Sequence, residues 1–120
     1  MIKSIMGIVF DCPNANNLAD FYKKLTGWQK EISSNEWASL RTEQGILLVF
    51  QTVENYMPPT WPSENGKQQQ MVHIDFKVDN LKEAEELALA NGAKKSDVQF
   101  FENSTVMFDP AGHPFCLVLE

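Results

Sequence analysis

Apolar residues alternate with others between residues 4 and 11, with Met6, Ile8 and Phe10 on one face and Ile5, Gly7 and Val9 on the other. That period of two predicts a β-strand. Cys12-Pro13-Asn14 ends it, because proline brings no donor to a ladder and asparagine favours turns and caps. Leu18, Phe21, Tyr22 and Leu25 then recur at i, i+3, i+4 and i+7, which predicts an amphipathic helix stopped at Gly27. Three short strands are expected at 28–33, 36–42 and 45–53, joined by turns at Ser33-Ser34-Asn35 and Glu43-Gln44-Gly45. Residues 54–70 lose all periodicity, and Pro58-Pro59, Pro62, Gly66 and Gln68-Gln69-Gln70 mark a surface connector. Tyr56, Met57 and Trp61 are larger than a bare linker needs. They suit a pocket lid, a contact with a second subunit, or packing on a sheet edge.

The pattern then starts again. Val72, Ile74, Phe76 and Val78 alternate with Met71, His73, Asp75 and Lys77, predicting a strand over 71–78. Asp79-Asn80 caps a helix, with Glu83 three residues after Asn80 as in a capping box. Leu81, Ala84, Leu87 and Ala88 form its apolar stripe, and Asn91-Gly92 ends it. Strands near 96–101, 104–109 and 114–119 follow, with turns at Asn103 and at Asp109-Pro110-Ala111-Gly112. Gly7 stands seven residues before Asn14, and His73 stands seven before Asn80. Recurrence of strand, helix and three strands indicates a duplicated βαβββ module, 1–53 and 71–120, within a single domain of residues 1–120. The expected class is α+β. Each helix covers one face of its mixed, curved sheet, and the concave faces are left to enclose a groove.

Composition narrows the partners. A net charge of −6 with Lys and Arg scattered singly leaves no basic footprint for nucleic acid or an anionic membrane. The two cysteines, Cys12 and Cys116, are too few for a disulfide framework and read as reduced thiols of a cytoplasmic protein. The start, Met1 to Phe10, lacks a small-residue cleavage site, and its alternation suits a strand better than a leader. No apolar run approaches the length that spans a bilayer.

Three stretches carry a resemblance. Asn17-Leu18-Ala19-Asp20-Phe21-Tyr22-Lys23-Lys24-Leu25-Thr26-Gly27-Trp28 resembles the first helix of the vicinal oxygen chelate superfamily, which comprises glyoxalases, bleomycin-resistance proteins and extradiol dioxygenases. His73-Ile74-Asp75-Phe76-Lys77-Val78-Asp79-Asn80-Leu81 is similar to its fifth strand and second helix start. Asp109-Pro110-Ala111-Gly112-His113-Pro114-Phe115-Cys116-Leu117 resembles the ending of the glyoxalase-like branch. The resemblance spans nearly the whole chain, and it implies a divalent ion, Zn, Ni or Mn, held by the first and last strands of each module. The positions it points to are Gly7, Gln51 or Val49, His73 and Cys116. Glycine has no donor side chain and glutamine is a poor zinc ligand, so the set implied is incomplete, with one imidazole, His73, and one thiolate, Cys116, short of the three good donors a catalytic zinc site has. Asp75 shares the face of His73, although strand geometry sets the two about 7 Å apart.

Each candidate has a plainer role beside the chemical one. His73 also suits a hydrogen-bonded core histidine, and Cys116 a small inert hydrophobe. As catalytic residues, His73 would be a general base or ligand, and Cys116 a thiolate favoured by a neighbouring imidazolium. His113, in the turn after Asp109-Pro110, is expected at the surface. Trp28, Trp37, Phe50, Phe101 and Trp61 read mainly as core, with one or two free to wall a planar ligand. The groove lining expected is Gln51, Asp75, Trp37, Phe50, Trp61 and Phe101. Function is then expected to be binding of a small, partly apolar molecule without a complete catalytic metal site. The alternative is a metal-dependent glyoxalase-like lyase, isomerase or dioxygenase acting on a small carbonyl or thiol-conjugated substrate. The resemblance and the apolar 54–62 segment both imply a homodimer.

Overall fold

Asparagine before each helix and a left-handed residue after the first punctuate the chain as its composition suggests. The structure, a computed structural model, describes residues 1–120. It divides into two compact units, Met1–Tyr56 and Met57–Glu120. No helix is long and apolar enough to cross a membrane.

The first unit runs β1 (Gly7–Cys12), α1 (Ala15–Thr26), β2 (Gln29–Ser33), β3 (Trp37–Arg41) and β4 (Leu47–Thr52). Asn14 caps α1, its side chain accepting from Asn17 N at 3.0 Å, and Gly27 closes it in the left-handed region at φ 75°. The sheet order is β1-β4-β3-β2, with β1 parallel to β4 and the other pairs antiparallel. Leu48 and Phe50 of β4 are buried together with Leu18, Phe21 and Tyr22 of α1. The Phe50 ring stacks on Tyr22 at 5.7 Å and on Phe10 at 6.0 Å. Val49 and Gln51 therefore lie on the other face of β4, as strand alternation requires.

The second unit runs β5 (Ile74–Val78), α2 (Leu81–Ala90), β6 (Lys94–Lys95), β7 (Ser104–Phe108) and β8 (Pro114–Leu119). Asn80 caps α2 by accepting from Glu83 N at 3.0 Å. The order β5-β8-β7-β6, with β5 parallel to β8, repeats that of the first sheet. The architecture is thus α+β, two four-stranded mixed sheets each with one helix. Phe115, Leu117, Met107 and Ala88 are buried, and Phe76 meets Phe115 edge-on at 5.9 Å. Asp109 is buried at the β7–β8 turn, where its Oδ1 accepts from Ala111 N and His113 N at 2.9 and 3.0 Å.

Three expectations fail here, the first being the strand expected over 4–11, which instead runs Gly7–Cys12 and includes Cys12. The strand expected over 96–101 is absent, and β6 is only Lys94–Lys95. Ser96 Oγ accepts from Val98 N at 3.2 Å and bends the chain away. The Gln99 side chain then takes both main-chain groups of Val106, accepting from its N at 2.7 Å and donating to its O at 3.0 Å. One amide side chain stands in for a ladder partner. The strand expected from residue 71 begins only at Ile74, leaving Met71 and Val72 exposed. From Met57 onward the connector belongs to the second unit, where Thr60 bridges Gln69.

Candidate functional site

In β5 and β8, Asp75 lies directly opposite Cys116. Paired residues of adjacent strands project to the same face, here the one opposite α2, because Ile74, Phe76, Phe115 and Leu117 form the alternate set. His73 precedes β5 by one residue and shares the face of Asp75. His73 Nε2 comes within 3.2 Å of Asp75 Oδ1. The 7 Å expected from strand spacing describes the backbone; the two side chains lean together and close most of it. A donor atom from each of His73, Asp75 and Cys116 lies within 4.8 Å of the others.

Burial and Asp75 together set the state of the thiol. Burial first, then the Asp75 charge and its side-chain hydrogen bond, push the Cys116 pKa up to about 11. The thiol is neutral near pH 7 and donates to the carboxylate. Burial, and after it the carboxylate lying opposite, both favour the neutral thiol of Cys116.

Around this cluster stand groups of both kinds. His73 Nδ1 lies 3.4 Å from Gln70 Oε1. The Trp61 ring lies 4.7 Å from that of His73, tilted by 32°, and Phe100 lies 5.5 Å beyond Trp61. Trp61 also borders a cleft of about 500 Å³ together with Pro58, Phe108 and Pro110; the three clustered donors are not among its walls.

Several lining residues belong elsewhere. Phe50 is 0% exposed and faces α1, so it is core and not lining. Phe101 is 72% exposed, and its neighbour Phe100 makes the contact with Trp61, because the chain there is not a strand. Trp37 is half-exposed and pairs with Gln51 on the face of the first sheet away from Phe50. Gln51 Nε2 donates to Asp11 Oδ1 at 2.6 Å, so its amide is engaged. Gln70 and Phe100 went unrecognised in the sequence. Gln70 sits in a polar run that reads as linker, and Phe100 was obscured by a false alternation.

The two registers also settle which residue of the first unit corresponds to Cys116. Aligning the caps Asn14 and Asn80 matches Gly7 with His73 and Val9 with Asp75. Val9 pairs with Val49 just as Asp75 pairs with Cys116. The counterpart is Val49, not Gln51. The first unit therefore offers Gly7, Val9 and Val49 where the second offers imidazole, carboxylate and thiol. A Cβ at Gly7 would lie 3.0 Å from the Leu47 carbonyl oxygen, so a side chain there needs the backbone to give way.

Comparison with known proteins fits this duplicated architecture. The sequence profile of a glyoxalase-like domain matches residues 7–118. The chain belongs to the glyoxalase-like domain family. No curated protein matches it. A glyoxalase/bleomycin resistance protein/dioxygenase family enzyme from Burkholderia phytofirmans superposes with a TM-score of 0.74 at 14% identity, covering 98% of each chain. The genomically encoded fosfomycin resistance protein of Listeria monocytogenes gives 0.72 at 16% identity, covering 100% of this chain and 95% of its own. A mutant of that protein, solved with Mn(II) and a dihydroxypropylphosphonic acid, gives 0.71 at 15% identity, covering 98% and 90%. At such identities the likeness is one of fold. His73, Asp75 and Cys116, which cluster in this chain, all belong to the second unit.

Three donors and an open position are what a catalytic zinc site requires. The 3.2 Å separation of His73 Nε2 and Asp75 Oδ1 matches the roughly 3.3 Å between nitrogen and oxygen donors on a tetrahedral ion with bonds near 2.0–2.1 Å. His73, Asp75 and Cys116 are donor types that could hold a divalent ion, with their ligand atoms within 4.8 Å of one another.

Proposed function

We propose that this glyoxalase-like chain binds a small, partly apolar molecule on the face of the second sheet opposite α2. His73 and Asp75 are its polar anchors and Trp61 its flat wall. The observation that carries the reading is the Trp61 ring 4.7 Å from His73, whose Nε2 lies 3.2 Å from the Asp75 carboxylate. An apolar wall next to a few convergent polar groups is the usual make-up of a small-molecule site. The fosfomycin resistance protein solved with a small phosphonic acid supports it by analogy of fold. A metal centre with donors from both modules has no counterpart in Gly7, Val9 and Val49, which favours binding over metal-dependent turnover. The protein acts in the cytoplasm as a homodimer, a reading supported by the exposed Met57 and Met71. Sedimentation at twice 13.6 kDa is the expected result, and a monomer mass contradicts it.

Thermal unfolding with aromatic α-keto acids such as benzoylformate, in the presence of a chelator, tests the binding. The midpoint is expected to rise with ligand concentration. Trp61→Ala is expected to weaken binding roughly two- to tenfold, the loss of one stacking contact worth about 0.5–1.5 kcal/mol. No midpoint shift across the series would sink the reading.

A second reading, a metal-dependent lyase, isomerase or dioxygenase acting on a small carbonyl or thiol-conjugated compound, is favoured by the clustering of the three donors. Metal-dependent turnover of such a compound, lost on chelation and restored by the ion, would support it over simple binding.

A further inference from the structure

Trp61 borders a second concave place in the second unit, apart from the clustered donors. The cleft encloses about 500 Å³, within the range of small-molecule pockets. It lies at the β6–β7 side of the sheet, where Lys94 pairs with Phe108, whereas Asp75 and Cys116 pair across β5 and β8 at the other side.

Its walls stand without a ligand. Pro58 lies against the β7–β8 turn at Gly112, where a Cβ would come within 2.7 Å of the proline ring. Gly112 has φ 87°, so glycine serves both the turn and the close approach. The connector is tied back on itself. Thr60 N and Oγ1 donate to Gln68 O at 2.6 and 3.2 Å, and Gln68 Nε2 donates to Met57 O at 3.2 Å. A wall already fixed costs an entering ligand little ordering.

The lining is of two kinds. Trp61 and Phe108 offer aromatic surface, and Pro58 and Pro110 add apolar rings. Glu64 and Lys94, both exposed, bring one charge of each sign. Neither takes part in an ion pair within the chain. An anion in the cleft meets Lys94 but also Glu64, and a cation meets the reverse. A molecule carrying both charges satisfies the pair.

We propose that this cleft binds a small zwitterion with an aromatic body. Its carboxylate lies toward Lys94, its ammonium toward Glu64, and its ring against Trp61 and Phe108. A free aromatic amino acid and a short peptide with an aromatic end share that chemistry. Both ion pairs are exposed to solvent, so the charges select among ligands more than they hold them.

The test is a two-dimensional NMR titration of the full chain, with chelator present, near neutral pH and at low salt. L-Phenylalanine and glycyl-L-phenylalanine are compared with phenylpropionate, phenethylamine and N-acetyl-phenylalaninamide, which keep the ring and lose one charge or both. Shifts are expected at Lys94, Phe108, Ala111 and Gly112, while Asp75 and Cys116 stay still. One zwitterion is expected to bind at least about threefold more tightly than every analogue, and the tighter of the two names the source, amino acid or peptide. Lys94→Gln and Glu64→Gln, at exposed positions, are each expected to weaken it roughly two- to fivefold. Lys94→Gln should erase the advantage over phenethylamine, and Glu64→Gln the advantage over phenylpropionate. A merely structural role for these side chains would not give that crossed pattern. Equal binding of the uncharged analogue, a preference that survives both substitutions, or an absence of shifts around the cleft overturns the proposal. Benzoylformate is scored at His73 and Asp75 in parallel spectra, and Trp61, which borders both places, is left out of the comparison, so either idea can fail alone.

Discussion

Replacing Phe50 with alanine lowers the unfolding free energy by about 3–5 kcal/mol, the usual cost of emptying a buried aromatic site. Phe50 is fully buried, and its ring lies between Tyr22 of α1 and Phe10 of β1. Losing it opens a cavity where helix and sheet meet, lined by groups that strand pairing and the α1 cap hold in place. For a chain of this length the melting midpoint should fall by roughly 10–20 °C. Urea unfolding of the variant, with an unchanged slope, checks the free energy. A loss below about 1 kcal/mol would put this side chain on the opposite face of the sheet, where the sequence had allowed it as groove lining.

Asp109→Ala is expected to cost about 2–4 kcal/mol, since it strips a charged acceptor from two amides at once. Asp109 Oδ1 receives both Ala111 N and His113 N, and the Asp109 main chain closes the same turn with His113 O at 2.9 Å and Gly112 N at 2.8 Å. This turn launches β8, so it also sets where Cys116 stands opposite Asp75. Crowding adds to the constraint. Gly112 has φ 87°, and a Cβ there would come within 2.7 Å of Pro58. Asp109→Asn keeps an acceptor oxygen and should recover more than half of the loss. Chemical denaturation of both variants measures the difference, and equal losses would show that the acceptor is not what holds the turn.

Local signals carried far in this chain. Asn14, Gly27 and Asn80 cap where their chemistry predicts, because a cap depends on residues within one turn of itself. The duplication was legible for the same reason, as two caps at equal distance from two strands. Features that depend on pairing were not. Whether Val49 or Gln51 matches Cys116 follows only from the register of β4 against β1, which no local pattern encodes. The strand expected over 96–101 alternates well enough on paper, but the Gln99 side chain satisfies Val106 and removes the need for it. With that strand went the reason to choose Phe101 over Phe100. Strand spacing alone sets Asp75 about 7 Å from His73, a backbone distance that the two side chains close to 3.2 Å.

Two-dimensional NMR spectra recorded during a titration with benzoylformate, with chelator present, locate the occupied face. Concentration-dependent shifts are predicted at Trp61, His73, Asp75, Phe100 and Cys116, with Gly7, Val9 and Val49 of the first unit largely still. Shifts confined to Met1–Tyr56, or a saturated complex that leaves His73 and Trp61 unmoved, would contradict the placement of binding chemistry in the second module.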